Sequence, residues 1–266
     1  MDPLTLYFRL IRVAIQARMQ YRADFLTGIL GVLVMNVTTL GLIGILVSRF
    51  RHLNGWSLWE VVFLYCLWML GHSLYSFFFW HIRALEDYLV QGTFDQFLIR
   101  PASPFVLFLG REIQYLGVAD ATFGITGLSL AYANLDLHWS GVQWPFFGAA
   151  IIAGTLIETT LTLMIACISF WTGRSRRANN LLMQINVMVQ YYPMDIFGYV
   201  FRVIVTGFIP VAFMNYYPAL MLLDKLDHAG PWWWLAYMSP VVALLLVFIT
   251  AGVWRLALRR YSSAGG

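Results

Sequence analysis

The chain has 266 residues, 60% of them apolar and only 11% charged. Ordinary soluble domains carry about 25% charged residues, and a soluble fold of this length could not hide so much apolar surface, so the bilayer is the expected solvent. The net charge of +4 comes from basic residues spread along the chain, which argues against nucleic-acid binding.

Residues 1–24 carry Arg9, Arg12, Arg18 and Arg22. They lack the unbroken apolar core of a signal peptide. Arg9, Arg12, Gln16 and Gln20 fall within about 80° of one another at 100° per residue. Leu6, Leu10, Val13 and Ala17 form much of another face. The pattern predicts an interfacial helix on the inner leaflet. The alternative is a juxtamembrane tail that simply follows the positive-inside bias.

Five runs reach the roughly 20 residues that cross the hydrocarbon. They are Phe25–Val47, Leu58–Trp80, Ile113–Ala133 (105–133 with its apolar lead-in), Pro145–Trp171 and Trp233–Trp254 (232–254 with the preceding Trp). A sixth region, 178–217, is apolar but broken by Pro193 and Pro210. It is too long for one straight span and short for two spans plus a turn. No internal repeat or low-complexity tract divides the chain, so 1–266 reads as one membrane domain.

Charge sets the parity. Arg9, Arg12, Arg18 and Arg22 precede the first span, and Arg83, Arg100 and Arg111 separate the second and third. Arg174, Arg176 and Arg177 follow the fourth, and Arg255, Arg259 and Arg260 follow the last. These are 13 of the 17 basic residues, and their alternation places those connections and both termini in the cytoplasm. Arg49, Arg51, Lys225 and Arg202 fall to the other side. Region 178–217 must then cross once, for six spans in all, with its remainder folding back as an outer re-entrant element. Irregular backbone at that depth must be covered by protein or line a cavity. Trp56, Trp59, Trp139, Trp144, Trp232, Trp233 and Trp234 fall at the outer ends, and Trp80, Trp171 and Trp254 at the inner ends. Interfacial indoles are expected there. Only Trp68 is mid-span.

The connection after the second span, residues 84–104, is more than a turn. Ala84–Gln91 suits two helical turns ended by Gly92 at C′. Thr93 and Gln96 have capping-box spacing, and Asp95 sits where the helix dipole favours an anion. Arg100 precedes Pro101, a stop signal. Ser103 and Pro104 suit N-cap and N1 of a restart. The expectation is a compact helix–turn–helix. Its apolar side, with Leu85, Tyr88, Leu89, Phe94, Phe97 and Leu98, could serve a partner or rest on the bilayer and the other helices.

Ionisable residues inside spans are costly. Glu158 lies mid-way along the fourth span, His72 in the second and Asp120 early in the third. Glu158 suits a substrate-cavity or proton-linked acid. It equally suits a neutral carboxyl bonded to Thr159, Thr160, Thr162 or a neighbouring helix. His72 suits packing or the pathway. Asp195 and Arg202 share a helix face but lie about 10 Å apart along the axis, so a direct pair needs a bend. Tyr75–Trp80, with three consecutive Phe, suits either a path wall or a lipid-facing surface. Gly28 and Gly31, with Gly41 and Gly44, allow close helix approach within one subunit or across a dimer.

Two stretches carry a family resemblance. One is Glu86–Gly92 (EDYLVQG) followed by Asp95–Pro101 (DQFLIRP). The other is Tyr192–Gly198 (YPMDIFG) followed by Ile209–Phe213 (IPVAF) and Tyr216–Ala219 (YYPA). Together they resemble the six-span bacterial ABC-2 type permeases, the membrane subunits of ATP-driven exporters. The similarity extends over essentially the whole chain and is specific for the family rather than for a substrate. It implies an all-α membrane fold in the bacterial inner membrane, a permease dimer, and a separate cytosolic ATPase. That ATPase would grip the first cytoplasmic loop through a coupling helix, making Glu86, Asp87, Gln91, Asp95 and Arg100 the candidate contacts. Pro193, Asp195, Arg202 and Pro210 would fix the re-entrant or gate element. His72, Tyr75 and Glu158 are candidates for the pathway.

A nucleotide-binding loop needs a Gly-rich turn and a Lys before Ser or Thr. The one lysine, Lys225, lies in Leu-Asp-Lys-Leu. ATP and Mg are therefore expected on the partner chain, with no cofactor bound here. Cys66 and Cys167 are isolated and give no metal or redox spacing. No nucleophile motif or paired acid site supports a membrane enzyme. The remaining alternative is an ATP-independent secondary transporter or lipid-handling scaffold, in which Glu158, Asp120 and His72 outweigh the loop.

Overall fold

The computed structural model describes residues 22–49 and 55–261, together with Thr5, Tyr7, Arg9 and Arg12. The interfacial helix expected over 1–24 therefore lies almost wholly outside the described residues. Every regular element among the described residues is helical.

Helix α1 spans Arg22–Arg49, α2 Leu58–Phe79, α3 Leu85–Val90, α4 Asp95–Leu98 and α5 Pro104–Leu109. Then come α6 Gly117–Asn134, α7 Gln143–Cys167, α8 Ser169–Thr172, α9 Arg176–Tyr191, α10 Tyr199–Val203, α11 Tyr216–Leu222 and α12 Ser239–Arg260. Among the described residues, four stretches are long and apolar enough to cross a bilayer: Leu26–Ile45, Leu58–Val90, Gln143–Thr172 and Ser239–Arg260. A bent pair, Tyr199–Phe208 with Val211–Leu222, adds a fifth if it is counted as one span. The chain is a multi-pass membrane protein. The stretch Leu58–Val90 would reach about 50 Å as one helix, against a hydrocarbon of about 30 Å. Its helix breaks at Phe79, so its last eleven residues lie beyond the span.

Helix α2 is the centre of the bundle. Residues 61–71 are all buried, with α6 and α7 packed on it and α12 on the far side of α7. A capping box starts it: Ser57 Oγ accepts from the Glu60 N–H, and Glu60 Oε2 accepts from the Ser57 N–H at 2.7 Å. The close approach of α6 depends on glycine. A Cβ on Gly117 would lie 2.6 Å from the Ser73 carbonyl oxygen, and one on Gly127 would lie 2.4 Å from Cys66 Sγ. With no hydrophobic drive between helices in lipid, this small-residue contact lets the two backbones approach closely enough for van der Waals packing. Helix α1 packs against α6 and leaves Leu30, Val34, Met35 and Val37 exposed. Of its glycines, Gly28 meets Tyr115 and Leu116, whereas Gly31 and Gly41 face open space.

One expectation is revised, and the break expected in the sixth region is present. The run from residue 105 is not one helix: α5 ends at Gly110, and α6 starts afresh at Gly117. Region 178–217 divides into pieces. Helix α9 ends just before Pro193, as the residue before proline disfavours helix. The chain then turns through Met194–Ile196 and rises into α10, which runs on as a π-type turn over Ile204–Phe208. Pro210 ends that turn, and the pair bends by 73°.

Candidate functional site

Three groups of polar side chains are built on this bundle, one at each end and one in the middle.

At the end where α2 finishes, residues 80–109 fold into a small module. Gly92 takes a φ of +69°, which the C′ position of α3 requires. Thr93 does not cap α4; Phe94 is the N-cap residue, and Thr93 Oγ1 bonds back to the Tyr88 carbonyl at 3.4 Å. The capping box inferred from Thr93 and Gln96 is thus absent, because the chain turns tightly enough for the Phe94 N–H to reach Tyr88 O instead. Leu85, Leu89, Phe94 and Phe97 bury against Phe108, Cys167 and Trp254. The apolar side of the loop therefore rests mainly on the protein's own helices.

The charged residues of the module divide in two. Glu86 Oε2 accepts the backbone N–H groups of Ser175 at 2.5 Å and Arg176 at 2.6 Å, the first amides of α9. Partial burial works against its charge, but those two bonds and the Arg176 cation outweigh it and hold the carboxyl below its usual range. Asp87 pairs with the Arg176 guanidinium at 2.5 Å. Asp95 accepts from the Tyr261 hydroxyl at 2.6 Å, just past the end of α12. Gln91 and Arg100 instead face outward, beside Val90, Leu98 and Ile99, the last 83% exposed.

In the middle, α1, α2, α6, α7 and α9 line a cavity of about 300 Å³. His72 Nδ1 lies 2.9 and 3.0 Å from the two carboxylate oxygens of Glu158. Asp120 accepts from Asn36 Nδ2 at 3.0 Å, and Asn36 Oδ1 accepts from the Tyr65 hydroxyl at 3.2 Å. Arg83 closes the module end of the cavity: its Nε donates to the Tyr75 hydroxyl at 3.1 Å, and its guanidinium lies 4.3 Å from the Trp80 ring centroid. Tyr75 is fully buried and meets the lining residues through its bond to Arg83 and its ring contacts with His72 and Trp80. Trp68 Nε1 and Asn186 Oδ1, on lining residues, have no hydrogen-bond partner.

At the opposite end Asp195 gathers three donors. Trp56 Nε1 lies at 2.7 Å, the Tyr216 hydroxyl at 2.5 Å and His228 Nδ1 at 2.8 Å. Trp56 is 0% exposed, so it is not an interfacial anchor as expected; its indole satisfies a buried carboxylate. Lys225 adds a salt bridge to Glu60 at 3.1 Å and a bond to the Gly55 carbonyl at 2.9 Å. Pro193 and Pro210 set the breaks on either side of this cluster, and Arg202 lines a separate cavity nearby. Trp56, Tyr216, His228 and Asn36 were not singled out from the sequence as site residues. Their partners lie 21 to 139 positions away, and no local spacing marks them.

No group of three or more His, Cys, Asp or Glu among the described residues could hold a metal ion. A family model described as ABC-2 family transporter protein matches residues 33–265. Neither the curated proteins nor the solved structures gave a match. The matched region takes in all three polar groups and nearly every described helix, and the chain belongs to the ABC-2 transporter family, as a membrane permease.

Proposed function

We propose that this chain is the membrane-spanning subunit of an ATP-driven exporter, working as a dimer with separate cytosolic ATPase subunits. Family membership supports the permease reading, and ATP-driven members of such a family draw on a partner chain for hydrolysis. The observation that carries the coupling assignment is the module of residues 80–109. It is braced on α7, α9 and α12 at once, so a push on its outer edge reaches three helices together. Gln91, Ile99 and Arg100 form that edge. Glu86, Asp87 and Asp95, the other candidate contacts, bond to α9 and Tyr261 and so tie the edge to those helices.

The layout follows from the ends of α9. It starts beside Glu86 and is followed by Asp195 beside Trp56, so α9 runs from the module end to the opposite end. Its 16 residues span about 24 Å. One face exposes Leu181 and Met188, and its Asn186 and Gln190 face the middle cavity. Counting α9 and the 18-residue α6 as crossings gives six spans with both termini at the module end, the cytoplasmic side by its arginines. The bent pair is then the outer re-entrant element. The exposed α1, with Gly31 and Gly41 open, supplies a surface for the second permease.

A second reading has one specific observation in its favour. The His72–Glu158 pair in a cavity with Asp120 is the equipment of a proton-linked transporter. Reconstituted vesicles separate the two. Transport that needs the ATPase and ATP supports the exporter. Transport driven by a proton gradient without ATPase, and lost in Glu158→Gln, supports the alternative.

A further inference from the structure

The bent pair and the segment Leu226–Tyr237 enclose a cavity of about 570 Å³, within the range that holds small-molecule ligands. Its wall is largely apolar and aromatic, with Tyr199, Val203, Trp232 and Trp234. Tyr199 and Trp232 are well exposed, so the cavity opens outward rather than into the bundle. It shares no lining residue with the middle cavity.

Two charged residues of opposite sign line this cavity, Arg202 and Asp227. Their side chains make no hydrogen bond or ion pair with another described residue, and they do not pair with each other. The third ionisable lining group, His228, is already engaged by Asp195. A guanidinium beside apolar walls at a bilayer surface is costly without a counter-charge. A pair of opposite charges held too far apart to meet is complementary to a guest that carries both signs. Arg202 suits a phosphate, since its planar fork matches phosphate oxygens. Asp227 with the faces of Trp232 and Trp234 suits an ammonium, which binds to carboxylate and to aromatic faces alike.

We propose that this cavity binds the headgroup of a zwitterionic phospholipid. The phosphate sits on Arg202, the ammonium lies between Asp227 and the tryptophans, and an acyl chain follows Tyr199 and Val203. Asp227 disfavours an anionic lipid, which has no ammonium to offer it. The site shares no residue with the middle cavity, so it reads the composition of the membrane rather than carrying cargo.

The test is native mass spectrometry of the full-length chain in detergent. It is titrated with phosphatidylethanolamine, phosphatidylglycerol, or water-soluble glycerophosphoethanolamine. The wild type should retain one phosphatidylethanolamine at about tenfold lower concentration than phosphatidylglycerol. Arg202→Gln should lose retention of both lipids. Asp227→Asn should abolish the preference between them. Asp227 is exposed, so this variant keeps the fold and reads the proposal even if Arg202→Gln does not. Equal retention of the two lipids by the wild type, or an unchanged preference in Asp227→Asn, would overturn it. So would displacement of the lipid by the soluble headgroup at equal concentration, because that would make a free phosphoethanolamine the occupant.

Discussion

Glu86 Oε2 accepts the backbone N–H of Arg176 at 2.6 Å, joining the loop after α2 to the first turn of α9 across 90 positions of sequence. The same oxygen takes the N–H of Ser175. A carboxylate at a helix N-terminus satisfies donors that the helix itself leaves open and meets the positive end of its dipole. One side chain thereby fixes the module to a helix that lines the middle cavity.

Glu86→Ala leaves two amides without their acceptor and should lower stability by about 1–2 kcal/mol. Arg176→Ala keeps both backbone donors, removes the exposed pair with Asp87 and a distant cation for Glu86, and should cost about 0–1 kcal/mol. Thermal unfolding in detergent measures both. The folded-state carboxyl of Glu86 is lowered, so its contribution is present above the usual carboxylate range. It is lost as the pH falls through the lowered value.

Asp195→Ala strands the indole of Trp56 and the hydroxyl of Tyr216, both buried, and should cost about 1–3 kcal/mol for each donor left unmet. Trp56→Phe removes a donor but keeps an aromatic ring in a closed site, and should cost less. Limited proteolysis reports where the structure opens. Cleavage in Asp195→Ala should appear first around residues 55–57 and 224–232, which the carboxylate holds together.

His72 and Glu158 should behave as one unit. Substituting either alone leaves the other buried or half-buried without its partner. The double variant His72→Ala with Glu158→Ala should therefore be less destabilised than the sum of the singles, with a coupling of about 0.5–3 kcal/mol. Additive losses would show that the pair contributes nothing beyond its two packing volumes.

Gly127 tests the packing of α6 on α2. Gly127→Ala would push a methyl into Cys66 Sγ, and overpacking of this kind costs about 1–3 kcal/mol. Combining it with Cys66→Ala removes the obstructing sulfur and should restore most of the loss in a thermal unfolding measurement.

Periodic and compositional features were the readable part of this protein. The apolar runs gave α1, α2, α7 and α12 because a spanning helix must satisfy its own backbone and face lipid. Gly92, Ser103 and Pro104 marked the turns of the module because those positions need special backbone geometry. Long-range partners were not readable. Thr93 and Gln96 have the spacing of a capping box, but a competing backbone bond to Tyr88 closes the turn first. Trp56 looked interfacial, since position alone does not reveal that a carboxylate 139 residues away needs its N–H. The partners of the loop's acids on α9 and at the end of α12 were likewise hidden, since they lie 89 to 166 positions away. Helix α9 hid as part of a broken apolar region because one of its faces lines a cavity rather than lipid.

The most direct measurement concerns the outer edge of the module. Ile99→Asp combined with Arg100→Glu alters the outer edge, while Asp87→Asn combined with Asp95→Asn alters side chains bonded to Arg176 and Tyr261. Each membrane-inserted variant is tested for co-purification with its ATPase and for ATP-dependent transport in vesicles. The coupling account predicts that the edge variant loses both, and that the carboxylate variant keeps ATPase association while its thermal stability falls. Normal ATPase association and transport in a well-inserted edge variant would contradict it.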